Sequence, residues 1–224
     1  MTTVNRQPGE QFVTARLHMV EEQLKRRGIH DAAVLDAMRT VPRHEFVRPE
    51  DISQAYGDHP LSIGYEQTIS QPYIVASMTQ ELRLDHRARV LEIGTGCGYQ
   101  TAVLAEIVKH VYTVECIAGL FHDAVKRLER LRYTNITGML GDGSLGWADN
   151  APYDGILVAA AATIIPEALT DQLADPGRMV IPLGPHLFDQ QLVLVDKKDG
   201  LITHTELYGV RFVPLRMAQE GPNS

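Results

Sequence analysis

The chain has 224 residues, 44% of them hydrophobic and 22% charged, an ordinary globular composition long enough to bury a large core in one domain. A formal net charge of −7 excludes the broad positive field on which nucleic-acid binders depend, and two cysteines exclude a disulfide scaffold. The opening residues lack an apolar export segment and no stretch has the length of a membrane helix, so a cytoplasmic location with no membrane partner is expected.

Taken in order, residues 11–27 repeat Phe12, Val13, Leu17, Val20 and Leu24 at helical spacing, with Gly28 as the stop. A second helix starts behind Asp31, a good capping residue, and carries Val34, Leu35 and Met38. It must end by Val41, because Pro42 disfavours helix in the residue before it. Residues 42–71 show little periodicity and read as one long loop, which in a compact domain is functional or mobile. A third helix then begins at Pro72, whose missing N–H costs nothing in a first turn, and Ser70 is the predicted N-cap.

The next stretch, VLEIGTGCGYQTAVLAEIV at residues 90–108, organises the rest. A β-branched apolar run halts at Gly94, Gly96 and Gly98 and gives way to a helical pattern, so it reads as strand, tight turn, helix. Glycines let the backbone turn sharply and let a ligand lie against bare peptide. A dinucleotide fold requires G-x-G-x-x-G, but the third position holds Tyr99 counted from Gly94 and Thr101 counted from Gly96. A nicotinamide oxidoreductase is therefore disfavoured. The acid Glu92 before G-x-G-x-G instead resembles the first motif of S-adenosylmethionine-dependent methyltransferases. Glu115, at the end of the following apolar run, is placed to accept hydrogen bonds from ribose hydroxyls. Asp142-Gly143, after a strand over residues 136–140, places a carboxylate where an adenine amino group could donate.

Beyond it, a helix over residues 117–132, a buried strand over 153–159, a helix over 166–173 and a strand over 179–183 continue the alternation. That alternation predicts a parallel sheet covered on both faces, with its ligand at the carboxyl ends of the strands. Residues 191–195 and 201–207 flank Asp199-Gly200, a hairpin signal, so the sheet is expected to finish antiparallel with residues 210–215 closing it. Cys97 and Cys116 read as small buried fillers.

With these residues assembled, the chain resembles the bacterial protein-L-isoaspartate O-methyltransferase family. The resemblance rests on VPRHEFV at 41–47, QTISQPYIVA at 67–76, LEIGTGCGYQTAVLA at 91–105, GDGSLGW at 141–147, APYDGILV at 151–158, IPEAL at 165–169 and VRFVPL at 210–215. It implies a Rossmann-like α/β fold, doubly wound and mostly parallel, with antiparallel C-terminal strands and an N-terminal helical addition. Residues 1–80 would supply the helices and substrate-side loop, and residues 81–224 the methyltransferase core, within one structural domain.

The implied activity is methyl transfer from S-adenosyl-L-methionine to the free carboxylate of L-isoaspartyl and D-aspartyl residues in damaged proteins. Ser70 matches the active-site serine. Thr68, Ser70 and Val213 fall on the peptide side, and Glu92, Gly94, Thr95, Gly96, Gly98, Glu115, Cys116, Asp142 and Gly143 on the cofactor side; no metal, nucleic acid or second subunit is implied. Three positions depart from the family pattern, which has Ser for Cys97, Gly for Glu66 and Thr for Ala159. Glu66 adds a carboxylate beside a carboxylate-binding loop, where it would repel the substrate or select another. A relative that esterifies aspartate in a dedicated precursor peptide is the alternative, and a non-catalytic cofactor-binding module the rival from another class.

Overall fold

The computed structural model describes residues 9–184 and 190–216. Its N-terminal helix begins as α1 (Glu10–His18), widens into a π-helical turn at Met19–Leu24, and tightens at Lys25–Arg27 before Gly28 ends it at φ 95°. The widened turn buries Met19, Val20 and Leu24, whereas Val13 and Leu17 stay exposed, so in the first half of the predicted apolar stripe only Phe12 packs against the core. Helix α2 (Ala32–Thr40) starts as its sequence requires, with Asp31 accepting from Val34 N at 3.1 Å. It stops at Val41, which is extended before Pro42.

Residues 42–71 are not a featureless loop. They contain 3-10 turns at Arg43–Glu45 and Pro49–Gln54 and an antiparallel hairpin of β1 (Leu61–Gly64) and β2 (Gln67–Ile69). Strands of four and three residues are too short to show alternation. Their turn residues, Tyr65 and Glu66, adopt φ of 52° and 59° without the Asn-Gly signature such turns usually display. Helix α3 (Pro72–Glu81) has Pro72 in its first turn as predicted, but its N-cap is Gln71 and no side chain caps it. Ser70 lies one residue too far out for that role.

The main sheet has seven strands in the order β5-β4-β3-β6-β7-β8-β9. These are β3 (Arg89–Ile93), β4 (His110–Glu115), β5 (Ile136–Leu140), β6 (Tyr153–Val158), β7 (Leu173–Leu183), β8 (Gln190–Lys198) and β9 (Leu201–Val210). The first five in chain order pair in parallel; β8 and β9 run antiparallel, joined by the predicted Asp199-Gly200 turn. Strand β7 begins well before the predicted residue 179, and the helix ahead of it, α6 (Glu167–Asp171), is only five residues long. Residues 211–216 are not a further ladder strand. They run as a strap across the end of β6, with Ala161 N bound to Val213 O and Leu215 N to Ala161 O, both at 2.8 Å.

Strand alternation divides the core. Val90 and Val111 face the layer of α2, α3, α4 (Tyr99–Ala105) and α5 (Ala118–Arg130), while Leu91, Ile93 and Val114 face Tyr153, Leu169 and Trp147. From β3 the chain winds outward through β4 to β5, then returns to place β6 on the other side of β3. That reversal opens a crevice at the carboxyl ends of β3 and β6, where ligands of open α/β sheets bind.

Candidate active site

The crevice is walled by Gly94, Thr95, Gly96 and Cys97 after β3, by Glu115, Cys116 and Ile117 after β4, and by Ala159 and Ala160 after β6. Gly94 bends at φ 94° while its N–H stays on Val114 O at 2.8 Å, and Gly96 turns at φ 54°. Glu115 is buried, and its carboxylate locks the turn in place: Oε2 accepts from Gly96 N at 2.8 Å and Oε1 from Ile117 N at 2.9 Å. Each oxygen keeps a further lone pair for a ligand hydroxyl.

Glu92 lies beneath the turn, outside the cleft wall. It is fully buried, and Oε2 accepts from Thr101 Oγ1 at 2.6 Å and Thr113 Oγ1 at 2.7 Å while Oε1 has no partner. Burial pushes its carboxyl up to about 8, because a charge in this apolar layer has little to solvate it. Thr95 joins the network through its side chain, 2.6 Å from Thr113 Oγ1, so it presents backbone to the cleft. Glu92 thus supports the glycine turn from below and takes no part in the cleft wall.

Two other predicted cofactor residues also stand behind the wall. Gly98, at φ 88°, is the N-cap of α4, and a Cβ there would sit 3.3 Å from Leu128, so this glycine brings α5 close to the turn. Asp142 spends Oδ1 on Ser144 N at 2.8 Å and Ser144 Oγ at 2.7 Å, shaping the turn that presents Gly143 to the cleft. Cys97 is a buried filler as expected, its thiol pushed up by burial. Cys116 is only half-buried; burial first and the Glu115 carboxylate second push its thiol up, so neither cysteine is a ready nucleophile.

The peptide-side residues converge. A second groove, lined by Pro60, Gln71, Ile74, Gln190 and Arg211 among others, meets the first cleft at Thr68, Ser70, Ala159, Phe212 and Val213. Ser70, Thr68 and Val213, which the family resemblance assigned to the peptide side, stand at that junction. Gln190 was not foreseen. It is buried, and its amide grips the strap at both atoms of one residue, Nε2 donating to Phe212 O at 3.1 Å and Oε1 accepting from Phe212 N at 2.6 Å. A lone glutamine at a strand start carries no motif by which to find it. Ile63, Gln67 and Ile69 of the hairpin were missed with the hairpin itself. Glu66 is in the wall of neither cleft; it pairs with Arg216 and is 87% exposed, so the expected repulsion of substrate does not arise from its position.

The residues fit an adenosyl group. The Glu115 carboxylate suits a ribose, Ile93, Ile117, Leu120 and Gly143 make an apolar slot for a flat ring, and bare backbone passes at the glycines. Glu115 and Arg216 are the charged residues of this wall among those described, a poor match for a diphosphate.

Comparison with known proteins agrees with this geometry. The family model described as protein-L-isoaspartate(D-aspartate) O-methyltransferase matches residues 15–220. Protein-L-isoaspartate O-methyltransferase 1 of Syntrophobacter fumaroxidans is 54% identical over 204 residues, covering 91% of this chain and 95% of that one. The Desulfotalea psychrophila protein of the same name is 52% identical over 206 residues, covering 92% and 96%. Among solved structures, a Plasmodium falciparum protein-L-isoaspartate O-methyltransferase in complex with S-adenosyl-L-homocysteine superposes with TM-score 0.78 at 28% identity, covering 90% of this chain and 98% of that one. Another protein-L-isoaspartate O-methyltransferase gives TM-score 0.81 at 31% identity over 89% of this chain, which spans 65% of that longer one. With a sequence match that runs nearly end to end and a cleft built as the motifs require, the chain belongs to the protein-L-isoaspartate(D-aspartate) O-methyltransferase family.

Proposed function

We propose that this protein methylates the free carboxylate of L-isoaspartyl and D-aspartyl residues in damaged proteins and peptides, using S-adenosyl-L-methionine, and so starts their repair. The observation that carries the reading is the junction of the two clefts at Thr68, Ser70, Ala159, Phe212 and Val213. One cleft has the lining an adenosyl group needs, and the other is an open groove that a peptide can enter.

When bound, the donor supplies an electrophilic methyl carried on a sulfonium. The accepting carboxylate is already an anion at neutral pH, so no strong base is needed. Ser70 and the first N–H groups of α3 orient that anion, a helix start being a natural anion cradle. The strap at residues 211–216 and the β1–β2 hairpin keep water from the junction and hold the acceptor in line. Such alignment contributes on the order of 7–11 kcal/mol in well-oriented reactions. Once the ester has formed, the neighbouring backbone nitrogen of the substrate attacks it, methanol leaves, and the succinimide hydrolyses in part to normal aspartate.

Within this reading Glu115 holds the ribose, and Gly94, Thr95, Gly96, Cys116 and Gly143 line the donor's path. Glu92, Gly98 and Asp142 support that path from behind. Residues 1–80 form the substrate side and residues 81–224 the core. A monomer acting in the cytoplasm on isoaspartyl proteins, without nucleic acid, completes the proposal; no helix among the described residues is long and apolar enough to cross a membrane. The precursor-tailoring alternative is dropped, since the relatives above bear the isoaspartate name.

The test is methylation of matched isoaspartyl and aspartyl peptides with labelled donor. Label is expected on the isoaspartyl peptide and to be lost again slowly as methanol. Equal labelling of both peptides, or of neither, overturns the substrate.

A further inference from the structure

The tip of the β1–β2 hairpin makes two contacts that neither catalysis nor packing of the core requires. Glu66 Oε2 lies 3.0 Å from Arg216 Nη2, joining segments 150 residues apart in sequence. Tyr65 lays its hydroxyl against Gly119 in the first turn of α5, where a Cβ would collide with it. Just before the tip, Ile63 presses on the glycine turn, its Cδ1 3.4 Å from where a side chain on Gly96 would begin. Ile63 and Arg216 both belong to the wall of the donor cleft, as do Glu115, Cys116 and Ile117. The hairpin therefore crosses from the glycine turn to α5 on one side and to the strap on the other.

Holding Glu66 there has a cost. Gly64, Tyr65 and Glu66 have φ of 87°, 52° and 59°, and for the two that are not glycine this left-handed backbone is strained. A glycine at 66 would relieve that strain and abolish the ion pair. A side chain that stands at a strained, exposed position and whose ion pair reaches a residue of the cleft wall points to a role for that pair.

We propose that Glu66 and Arg216 form a clasp over the donor cleft and set the rate at which S-adenosyl-L-homocysteine leaves after transfer. The proposal rests on the donor reading above. With the clasp shut, hairpin and strap enclose the ribose end of the ligand; release requires the pair to part and the hairpin tip to lift from α5. Because the pair is exposed, salt weakens it.

Release of tritiated S-adenosyl-L-homocysteine into excess unlabelled ligand tests this. At low salt E66A should release about two- to fivefold faster than wild type, the effect of one exposed ion pair. High salt should bring wild type and E66A together. E66G, which also frees the backbone, should behave as E66A does. An unchanged rate in E66A, a difference that persists at high salt, or a change in E66A that E66G does not share overturns the clasp alone. Failure of the wild-type protein to bind the ligand overturns the clasp together with the donor reading.

Discussion

Gly96 donates its backbone N–H to Glu115 Oε2 at 2.8 Å, so the glycine turn and the acid at the end of β4 are one hydrogen-bonded unit. The carboxylate proposed to hold the ribose also fixes the loop that lines the cleft. Glu115→Ala removes both functions and leaves the N–H groups of Gly96 and Ile117 without acceptors. Donor affinity should fall by about ten- to a hundredfold, as expected for losing charge-assisted hydrogen bonds. Calorimetric titration with S-adenosyl-L-homocysteine measures it, and unchanged affinity would remove the ribose assignment.

Ser70 behaves differently, because it stands at the junction of the two clefts and does not cap α3. Ser70→Ala should lower kcat/KM for an isoaspartyl peptide by about tenfold or more, the worth of one hydrogen bond to an anion. Donor affinity should stay within about twofold of wild type on the same scale. Loss of both would show that the serine supports the fold and does not orient the peptide.

Glu92 gives a pH dependence of stability. Its carboxyl ordinarily ionises at 4.5 and is held up to about 8 by burial, so between these values the folded chain keeps a proton that the unfolded chain releases. The stability this group contributes is fully present below pH 4.5 and is lost progressively as pH rises to about 8, by at most about 1.4 kcal/mol per pH unit. Glu92→Gln is neutral throughout and can still accept from Thr101 and Thr113. Urea unfolding of the two proteins at several pH values should show the variant gaining on wild type as pH rises. A difference that does not vary with pH would mean the carboxyl is ionised in the fold.

Arg127 reaches from α5 to Cys97 O at 2.9 Å, fixing a peptide group of the glycine turn. Arg127→Met should raise KM for the donor severalfold, within the roughly 0.5–1.5 kcal/mol of one hydrogen bond, with kcat little changed. Arg127→Lys, which can still donate, should recover much of the loss. A fall in kcat without a change in KM would place Arg127 outside donor binding.

Much of this protein is legible without coordinates. The Asp31 cap, the stop at Pro42, strand residues 136–140 and the Asp199-Gly200 hairpin follow from local rules, since capping, proline sterics and turn chemistry act over a few neighbouring residues. The glycine turn and Glu115 are legible for a related reason: a backbone that must bend against a ligand tolerates few residue types. Ser70 and Val213, by contrast, could be linked only through family resemblance.

Tertiary structure decided the rest. Which face of α1 is buried, and that Glu92, Gly98 and Asp142 stand behind the wall while Thr95 and Gly143 stand in it, depends on what packs against them from elsewhere in the chain. Gln190 on Phe212 and Glu66 on Arg216 are pairings between residues that carry no mark of each other along the sequence. Short-range sterics write themselves into neighbouring residues, whereas a contact between distant segments exists only once the sheet has brought them together.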